Sequence, residues 1–520
     1  MRTKQSLKNI IATVFCYIIT LVIGFVSRSY FARLLGVEYL GINSLFQNVI
    51  SVMSVVELGF GSAIIYNLYR PLSENNHTQV KSLVQYYKRI YSIIALLICA
   101  LGLVITPFIP RIVGNITVNI NLYIVFWLFV IGTASSYLLT YKRSVFYADQ
   151  KNYTINIIHV IIYVISTFIQ ISVLIILSNY YLYLILNIFF NILENLLITF
   201  LANYKYKYLR EKVKEPLSHE IKQDIIKKVK GLLFHQIGAS IVMGTDNIIM
   251  SMTKSLGVIM VGKYSNYIMI INNLNNFIGQ IFTSVTASVG NLLLEENEEN
   301  TYNVYKRILF LNAALCNFVC ISVYVCIDPF IKLWLGNDYI LPNIVIILIV
   351  LNFYIQGMKR TCGIFKNAGG IFYEDRFVPL VESIINLVVS IGLVYLWGVS
   401  GIILGTIISS MVHWLYDFPK YVYGIVLKKC LKQYIWDYLP YFFIFIISIF
   451  ITKIICNFII LNNIFILLLI NIVLCIIIPN FIFLVIFHKT NEFIYWKNFI
   501  IEKIINLKNR INIKFDKTND

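Results

Sequence analysis

The 520-residue chain is 59% hydrophobic and 13% charged, with a mean hydropathy of +0.77, whereas soluble domains carry about 25% charged residues. A set of soluble domains is excluded, and a polytopic membrane protein is indicated. The apolar runs lack the period-2 alternation of an outer-membrane barrel, so helices of about 20 residues are the spanning element. A net charge of +18 would suggest nucleic acid in a soluble protein. Here the basic residues sort by loop, which points to a lipid bilayer as partner and to no nucleic acid.

Fourteen spanning helices are predicted, near 9–35, 42–66, 90–109, 121–141, 154–177, 182–203, 232–254, 259–292, 308–327, 341–358, 378–397, 400–425, 440–460 and 464–487. The basic start MRTKQSLK is followed by no small-residue cleavage site, so it opens the first helix rather than a signal peptide. With that start in the cytoplasm, 36 of the 43 Lys and Arg fall in the two tails and the even-numbered connections. The positive-inside rule then predicts both termini in the cytoplasm. Nine cysteines lie scattered with no CxxC pair and no His at metal spacing, so free buried thiols are expected, with no metal site and no cofactor.

An internal repeat organises the chain. Leu35, Gly36, Val37, Gly41 and Ser44 recur 221 residues on as Leu256, Gly257, Val258, Gly262 and Ser265. Tyr87-Lys88-Arg89-Ile90 recurs as Tyr305-Lys306-Arg307-Ile308, and Pro107-Phe108-Ile109 with Gly114-Asn115 as Pro329-Phe330-Ile331 with Gly336-Asn337. Lys142-Arg143 matches Lys359-Arg360. Six helices per copy is an even number, so the copies share one orientation and relate by a two-fold axis along the membrane normal, with a cleft between them.

The predicted architecture is therefore all-α. An N-terminal six-helix bundle (1–203) leads to a cytoplasmic amphipathic linker (204–231) and a C-terminal six-helix bundle (232–425). Helices 13 and 14 (426–487) and a basic cytoplasmic tail (488–520) complete it. In the tail, Phe493, Trp496, Ile500, Ile504 and Leu507 stand against Lys497, Lys503 and Lys508, the pattern of a helix lying on a membrane surface.

Candidate site residues are the polar groups placed where lipid would penalise them. Arg28 lies about 12 Å below the outer turn by helix geometry and continues a line of Thr13, Cys16, Thr20 and Gly24. An intramembrane arginine usually belongs to a substrate path. Arg33 is about 140° away on the same helix and reads as a substrate contact or as a snorkelling interfacial residue. Lys263 is a further substrate-facing cation. Asp246 stands at the repeat-equivalent of Phe25 as a counter-ion, a proton site or a structural acceptor. Asn273, Asn276, Gln280, Ser284, Ala287 and Asn291 form a stripe with amide donors and acceptors that suits sugars or, equally, interhelical hydrogen bonding. Glu57, Glu194, Glu382 and Asp417 are carboxylates in apolar runs with no basic partner identifiable from sequence, each a relay candidate. His159, His235 and His413 are isolated and read as core residues. No Walker-type loop is present, and no large outer loop is available to house a glycosyltransferase.

The segments RLLGVEYLGINSLFQNVISVMSVVELGFGSAI and TDNIIMSMTKSLGVIMVGKYSNY resemble the bacterial oligosaccharide flippases of the polysaccharide transporter family, within the multidrug/oligosaccharidyl-lipid/polysaccharide superfamily. The resemblance covers essentially the whole chain. It implies two six-helix bundles opening alternately to each side, two extra C-terminal helices, and a cationic cleft accepting undecaprenyl-pyrophosphate-linked oligosaccharide. Lys263 stands where that family usually carries an apolar residue. The expected function is thus a non-enzymatic flippase of the bacterial plasma membrane. It would serve capsule, O-antigen or a related polymer, beside a polysaccharide polymerase and glycosyltransferases of the same pathway. A cation or drug exporter of the same architecture and a membrane glycosyltransferase or polymerase are the alternatives.

Overall fold

The computed structural model describes residues 2–57, 60–211, 217–295, 297–371 and 374–516. In chain order the helices are α1 (Arg2–Leu35), α2 (Val37–Met53), α3 (Phe60–Ser73), α4 (His77–Ile105), α5 (Ile109–Val113), α6 (Leu122–Thr140), α7 (Arg143–Ala148), α8 (Asn152–Leu177) and α9 (Tyr180–Lys205). They continue as α10 (His219–Met252), α11 (Gly257–Glu295), α12 (Glu298–Trp334), α13 (Asn343–Ala368), α14 (Val378–Trp397), α15 (Val399–Val412), α16 (Leu431–Asn457), α17 (Ile464–Phe487) and α18 (Asn491–Asp516). A π-helical segment, His413–Val426, prolongs α15. Asparagine is abundant for a local reason at several of these starts. Asn76, Asn121, Asn179, Asn297 and Asn463 cap α4, α6, α9, α12 and α17 by accepting backbone N–H bonds.

Among the described residues eleven helices are long and apolar enough to cross a membrane. The chain is an all-α, multi-pass membrane protein. The spans expected near 42–66, 232–254 and 259–292 are not among those eleven. The first is broken: α2 has 17 residues and gives way to a 3-10 turn, Ser54–Glu57, before α3 begins. Helices α10 and α11 have ample length, 34 and 39 residues, but carry polar side chains such as Asp246, Lys263 and Asn273 along their apolar stretches. Helix α10 begins inside the stretch read as a linker; residues 212–216 of that stretch, with Pro216, lie outside the described residues, as do the side chains of Lys230 and Leu232.

Contacts group the helices into two units. Unit 1 takes Met1–Asn273 and Phe372–Ser409, and unit 2 takes Leu274–Ile371 and Ser410–Asp520. Within unit 1, α1 packs on α8, α6 on α4 and α9, and α10 on α2 and α14. Within unit 2, α12 packs on α13, α16 and α17, and Phe310, Ile444, Phe483 and Phe487 form a buried hydrophobic core. Trp496 donates from Nε1 to the Arg307 carbonyl at 3.0 Å, and the Arg307 guanidinium lies 3.9 Å from the Tyr495 ring centre. The first turns of α18 are therefore held on α12; the side chains of Ile504, Leu507 and Lys508 lie outside the described residues.

The repeat is written in the backbone. Gly36 and Gly257 have φ of 91° and 65°, and Gly114 and Gly336 have 72° and 104°. A positive φ recurs at Gln150 and Gly370 (54° and 71°) and at Ser178 and Gly398 (46° and 56°), although ψ differs within the last pair, 35° against −133°. These last two pairs carry the correspondence through α8, α9, α14 and α15, where no shared motif announces it.

At one point the two copies touch reciprocally within unit 1. A Cβ placed on Gly41 of α2 would stand 2.0 Å from the Val258 carbonyl oxygen of α11. One placed on Gly262 of α11 would stand 2.3 Å from the Val37 carbonyl oxygen of α2. Each glycine meets the valine of the other copy, which is the contact pattern a local two-fold axis produces. Only an absent side chain allows the backbones that close.

Candidate functional site

Arg28 sits on α1 seven residues before Leu35, about 10 Å along the helix. Its Nε donates to Asn266 Oδ1 at 2.8 Å and its Nη2 to Ser265 Oγ at 2.5 Å. Both partners are aimed by one carbonyl, since Ser265 Oγ and Asn266 Nδ2 each donate to the Gly262 oxygen, at 2.9 and 3.0 Å. Arg28 thus reaches from the first repeat to the second, one turn from the Gly41–Gly262 crossing. Gly24, one turn below, faces Tyr163 of α8 and Met269 of α11. Further down, Thr13 accepts from Asn156 Nδ2 at 2.9 Å, so the lower part of the line of small residues packs on α8.

The other expected site residues are dispersed. Arg33 is exposed near the end of α1, and Lys263 is half-buried next to Gly262. Asn273 accepts the Tyr17 hydroxyl at its backbone oxygen, 2.9 Å, which ties α11 to α1. Asn276 and Gln280 are exposed on the part of α11 that belongs to unit 2. The side chains of Ser284, Ala287 and Asn291, and that of His235, lie outside the described residues.

Asp246 joins a second polar cluster in unit 1. Thr406 Oγ1 of α15 lies 3.4 Å from its Oδ2, and Asn386 Nδ2 of α14 donates to the same Thr406 hydroxyl at 3.0 Å. Thr245 Oγ1 lies 3.5 Å from Asn386 Oδ1. Asp246 Oδ1 has no hydrogen-bond partner among the described residues. A carboxylate, an amide and hydroxyls are hard oxygen donors, able to trade a proton or hold a small cation. No group of three or more His, Cys, Asp and Glu side chains converges for a metal among the described residues.

Three further carboxylates acquire partners that the sequence leaves unpaired. Glu57 lies in the 3-10 break and accepts the Tyr91 hydroxyl at 2.5 Å, while Tyr87 donates to Tyr91 at 2.7 Å. Glu194 of α9 takes Arg143 at 2.6 Å and His159 at 3.0 Å. Asp417 in the π-helical segment takes Lys366 at 2.8 Å and His413 at 2.6 Å. His159 and His413 are therefore carboxylate partners rather than isolated core residues. Arg143→Ala leaves Glu194 to His159 alone and is expected to cost about 2 kcal/mol, read as a lowered thermal unfolding midpoint of the purified protein; an unchanged midpoint would refute a holding role for this pair.

Where α6 ends, burial, with Lys88 and Arg210 nearby, holds the Lys142 ammonium below its ordinary range. That end of unit 1 concentrates positive charge.

Between α2, α6 and α9 lies a cavity of about 250 Å³. Asn43, Gln47, Thr133, Ser136, Asn187 and Asn191 line it, with Tyr183 and Phe129 as aromatic walls. Tyr183 hydrogen-bonds Ser27, the neighbour of Arg28. The reading of the sequence missed this set, although Tyr183, Asn187, Asn191 and Asn195 recur every four residues along α9, a helical stripe.

Residues 6–287 match the family described as polysaccharide biosynthesis protein. A comparison with curated protein sequences gives no match. Among solved structures the fold is similar to the lipid II flippase MurJ in an inward closed conformation, at TM-score 0.64 and 17% identity, covering 92% of this chain and 98% of that one. It is similar to an inward-facing multidrug resistance transporter of the MATE family in the MOP superfamily, at 0.56 and 13%, covering 77% and 93%. A MOP superfamily transporter from Pyrococcus furiosus follows at 0.52 and 12%, covering 81% and 96%. At these identities the likeness establishes the fold.

Proposed function

Because the chain belongs to the polysaccharide biosynthesis protein family and shares its fold with flippases and transporters, we propose that it moves undecaprenyl-pyrophosphate-linked oligosaccharide from the cytoplasmic to the outer leaflet of a bacterial plasma membrane. It would do so by alternating access of two six-helix bundles within fourteen spans, with both termini cytoplasmic and no enzymatic step. The product would feed capsule, O-antigen or a related polymer through a polymerase and glycosyltransferases of the same pathway. The physical need is plain: a pyrophosphate and several sugars cannot cross about 30 Å of hydrocarbon unaided.

The observation that carries this reading is Arg28, fixed on a membrane-spanning helix by Asn266 and Ser265. A guanidinium held in that way suits a pyrophosphate, which its planar fork can engage bidentately. Basic charge around Lys142 would collect the anionic headgroup on its way in. Asp246, with Thr406 and Asn386, is the coupling or counter-ion site in this scheme, and Glu57 a secondary relay.

A pyrophosphate diester carries about two negative charges, and a cytoplasm-negative potential favours their outward movement by about 2.3 kcal/mol per charge per 100 mV. Reconstituted protein is expected to flip a short lipid-linked oligosaccharide faster when a valinomycin-set potential is negative on the cytoplasmic side, and Asp246→Asn to slow that rate more than it weakens lipid binding. An initial rate indifferent to the potential at constant pH and sodium would transfer the driving role to ion exchange at the carboxylates. The oxygen cluster at Asp246 and the likeness to a MATE transporter favour a cation or drug exporter as second reading. Uptake of a cationic dye into inverted vesicles, with no flipping of lipid, would establish it.

A further inference from the structure

The cavity between α2, α6 and α9 is built unlike the Arg28 site. Among the described residues its lining contains no charged side chain. Gln47, Asn187 and Asn191, all exposed, line it, and their side-chain amides make no hydrogen bond to other described residues. Asn187 and Asn191 lie about 10 and 16 Å along α9 from Tyr180, well inside a membrane-spanning helix. Amides at such depth do not face hydrocarbon at no cost, so their donors and acceptors require water or a polar ligand.

The lining selects the ligand's chemistry. Absence of charge argues against a phosphate or a cation, and the amides argue against an acyl chain. Amides offer a donor and an acceptor side by side, which matches adjacent hydroxyls. The Tyr183 and Phe129 rings supply apolar faces, the usual complement to a few placed polar groups. At about 30 Å³ of liquid per water, a cavity of about 250 Å³ has room for one sugar ring with its substituents. Tyr183 lines the cavity and bonds Ser27 beside Arg28, so a ligand can hold its phosphate at Arg28 and its sugar here.

The geometry points to this cavity as a sugar-binding subsite that takes one monosaccharide unit of the lipid-linked glycan. The assignment to substrate rests on the flippase reading. Sugar binding itself is testable without it.

The test uses the full chain in nanodiscs and saturation-transfer NMR with free N-acetylglucosamine, glucose, galactose and rhamnose as probes. At least one of these sugars should receive transfer from the wild-type protein. In the near-isosteric double variant Gln47→Met with Asn187→Leu its affinity should fall about tenfold, roughly what two lost hydrogen bonds give. Ser136→Phe, which fills the cavity from α6 and removes no amide, should produce the same loss. Unfolding midpoints are measured for every variant, and the conclusion is drawn from whichever of the two cavity variants keeps the wild-type value. No transfer to any sugar, or transfer unchanged in that variant, means that the cavity holds water only and overturns the proposal. A second arm separates the two readings by following flipping of a polyprenyl pyrophosphate bearing one sugar. Flipping by wild type that the cavity variants do not slow overturns the subsite while the flippase stands. No flipping by wild type overturns the flippase reading and with it the assignment of the sugar to substrate.

Discussion

Arg28→Ala is expected to abolish export of lipid-linked oligosaccharide while the protein remains folded in the membrane. Its guanidinium is anchored at 2.8 Å by Asn266 and at 2.5 Å by Ser265. Those bonds hold the side chain in one orientation, so little entropy is lost when a phosphate arrives. Arg28 is half-buried, and truncating one partner of a charge-assisted contact costs about 3 kcal/mol, or roughly 100-fold in transport rate. Arg28→Lys should retain part of the rate, since the ammonium keeps the charge and loses the fork. Surface polymer near the wild-type level in the alanine variant, at equal expression, would end the case for Arg28 as the headgroup contact. Asn266→Ala should fall between the two, because it frees the arginine without removing it.

Gly262→Ala is expected to be strongly disruptive for the addition of a single methyl group. The added Cβ would stand 2.3 Å from the Val37 carbonyl oxygen and 3.0 Å from the Gly41 nitrogen. Neither is a flexible side-chain end that can swing away, so α2 and α11 must separate. Overpacking costs about 1–3 kcal/mol where side chains can adjust, and a backbone contact belongs at the upper end, about 3 kcal/mol. The same displacement shifts the carbonyl that aims Ser265 and Asn266 at Arg28, so transport should fail along with stability. Gly279→Ala on the same helix is the control. A Cβ there meets nothing within 4 Å, and alanine is about 1 kcal/mol better than glycine in a helix interior. Equal unfolding midpoints and transport rates for the two variants would show that the crossing is not the tight contact it has been taken for.

How far the site was legible depended on the kind of signal each residue carries. Arg28 stood out because a charge in an apolar run is anomalous in one dimension, and the structure gives it partners from the second repeat. Asn187 and Asn191 did not stand out. Asparagine is frequent throughout the chain, and an amide stripe reads the same whether it glues two helices or lines a cavity. Glu194 and Asp417 could not be paired in advance, because Arg143 and Lys366 lie 51 residues from them in sequence, a separation that periodicity does not span. The break at Glu57 was also hidden. An unbroken apolar run from 42 to 66 was read as one helix, yet the chain leaves the α-helix at Ser54–Glu57, where Tyr91 meets the carboxylate.

Composition and periodicity alone determined that this is a helical membrane protein with an internal repeat, because lipid demands apolar surface and satisfied backbone groups over a known length. The positive-φ turns at Gly36 and Gly257 were likewise announced by their glycines. The matching turns at Gln150 and Ser178 were not, since those residues adopt a left-handed φ at a cost of about 1 kcal/mol each. Tertiary structure alone decided which helix faces meet: that Gly41 and Gly262 lock two copies of one motif together, that Asp246 looks toward Thr406 and Asn386, and that Gln47, Asn187 and Asn191 line one cavity. A one-dimensional pattern says which residues share a face of a helix. Which neighbour that face is given is settled by packing among helices far apart in the chain, where small residues permit approach and buried polar groups must find partners.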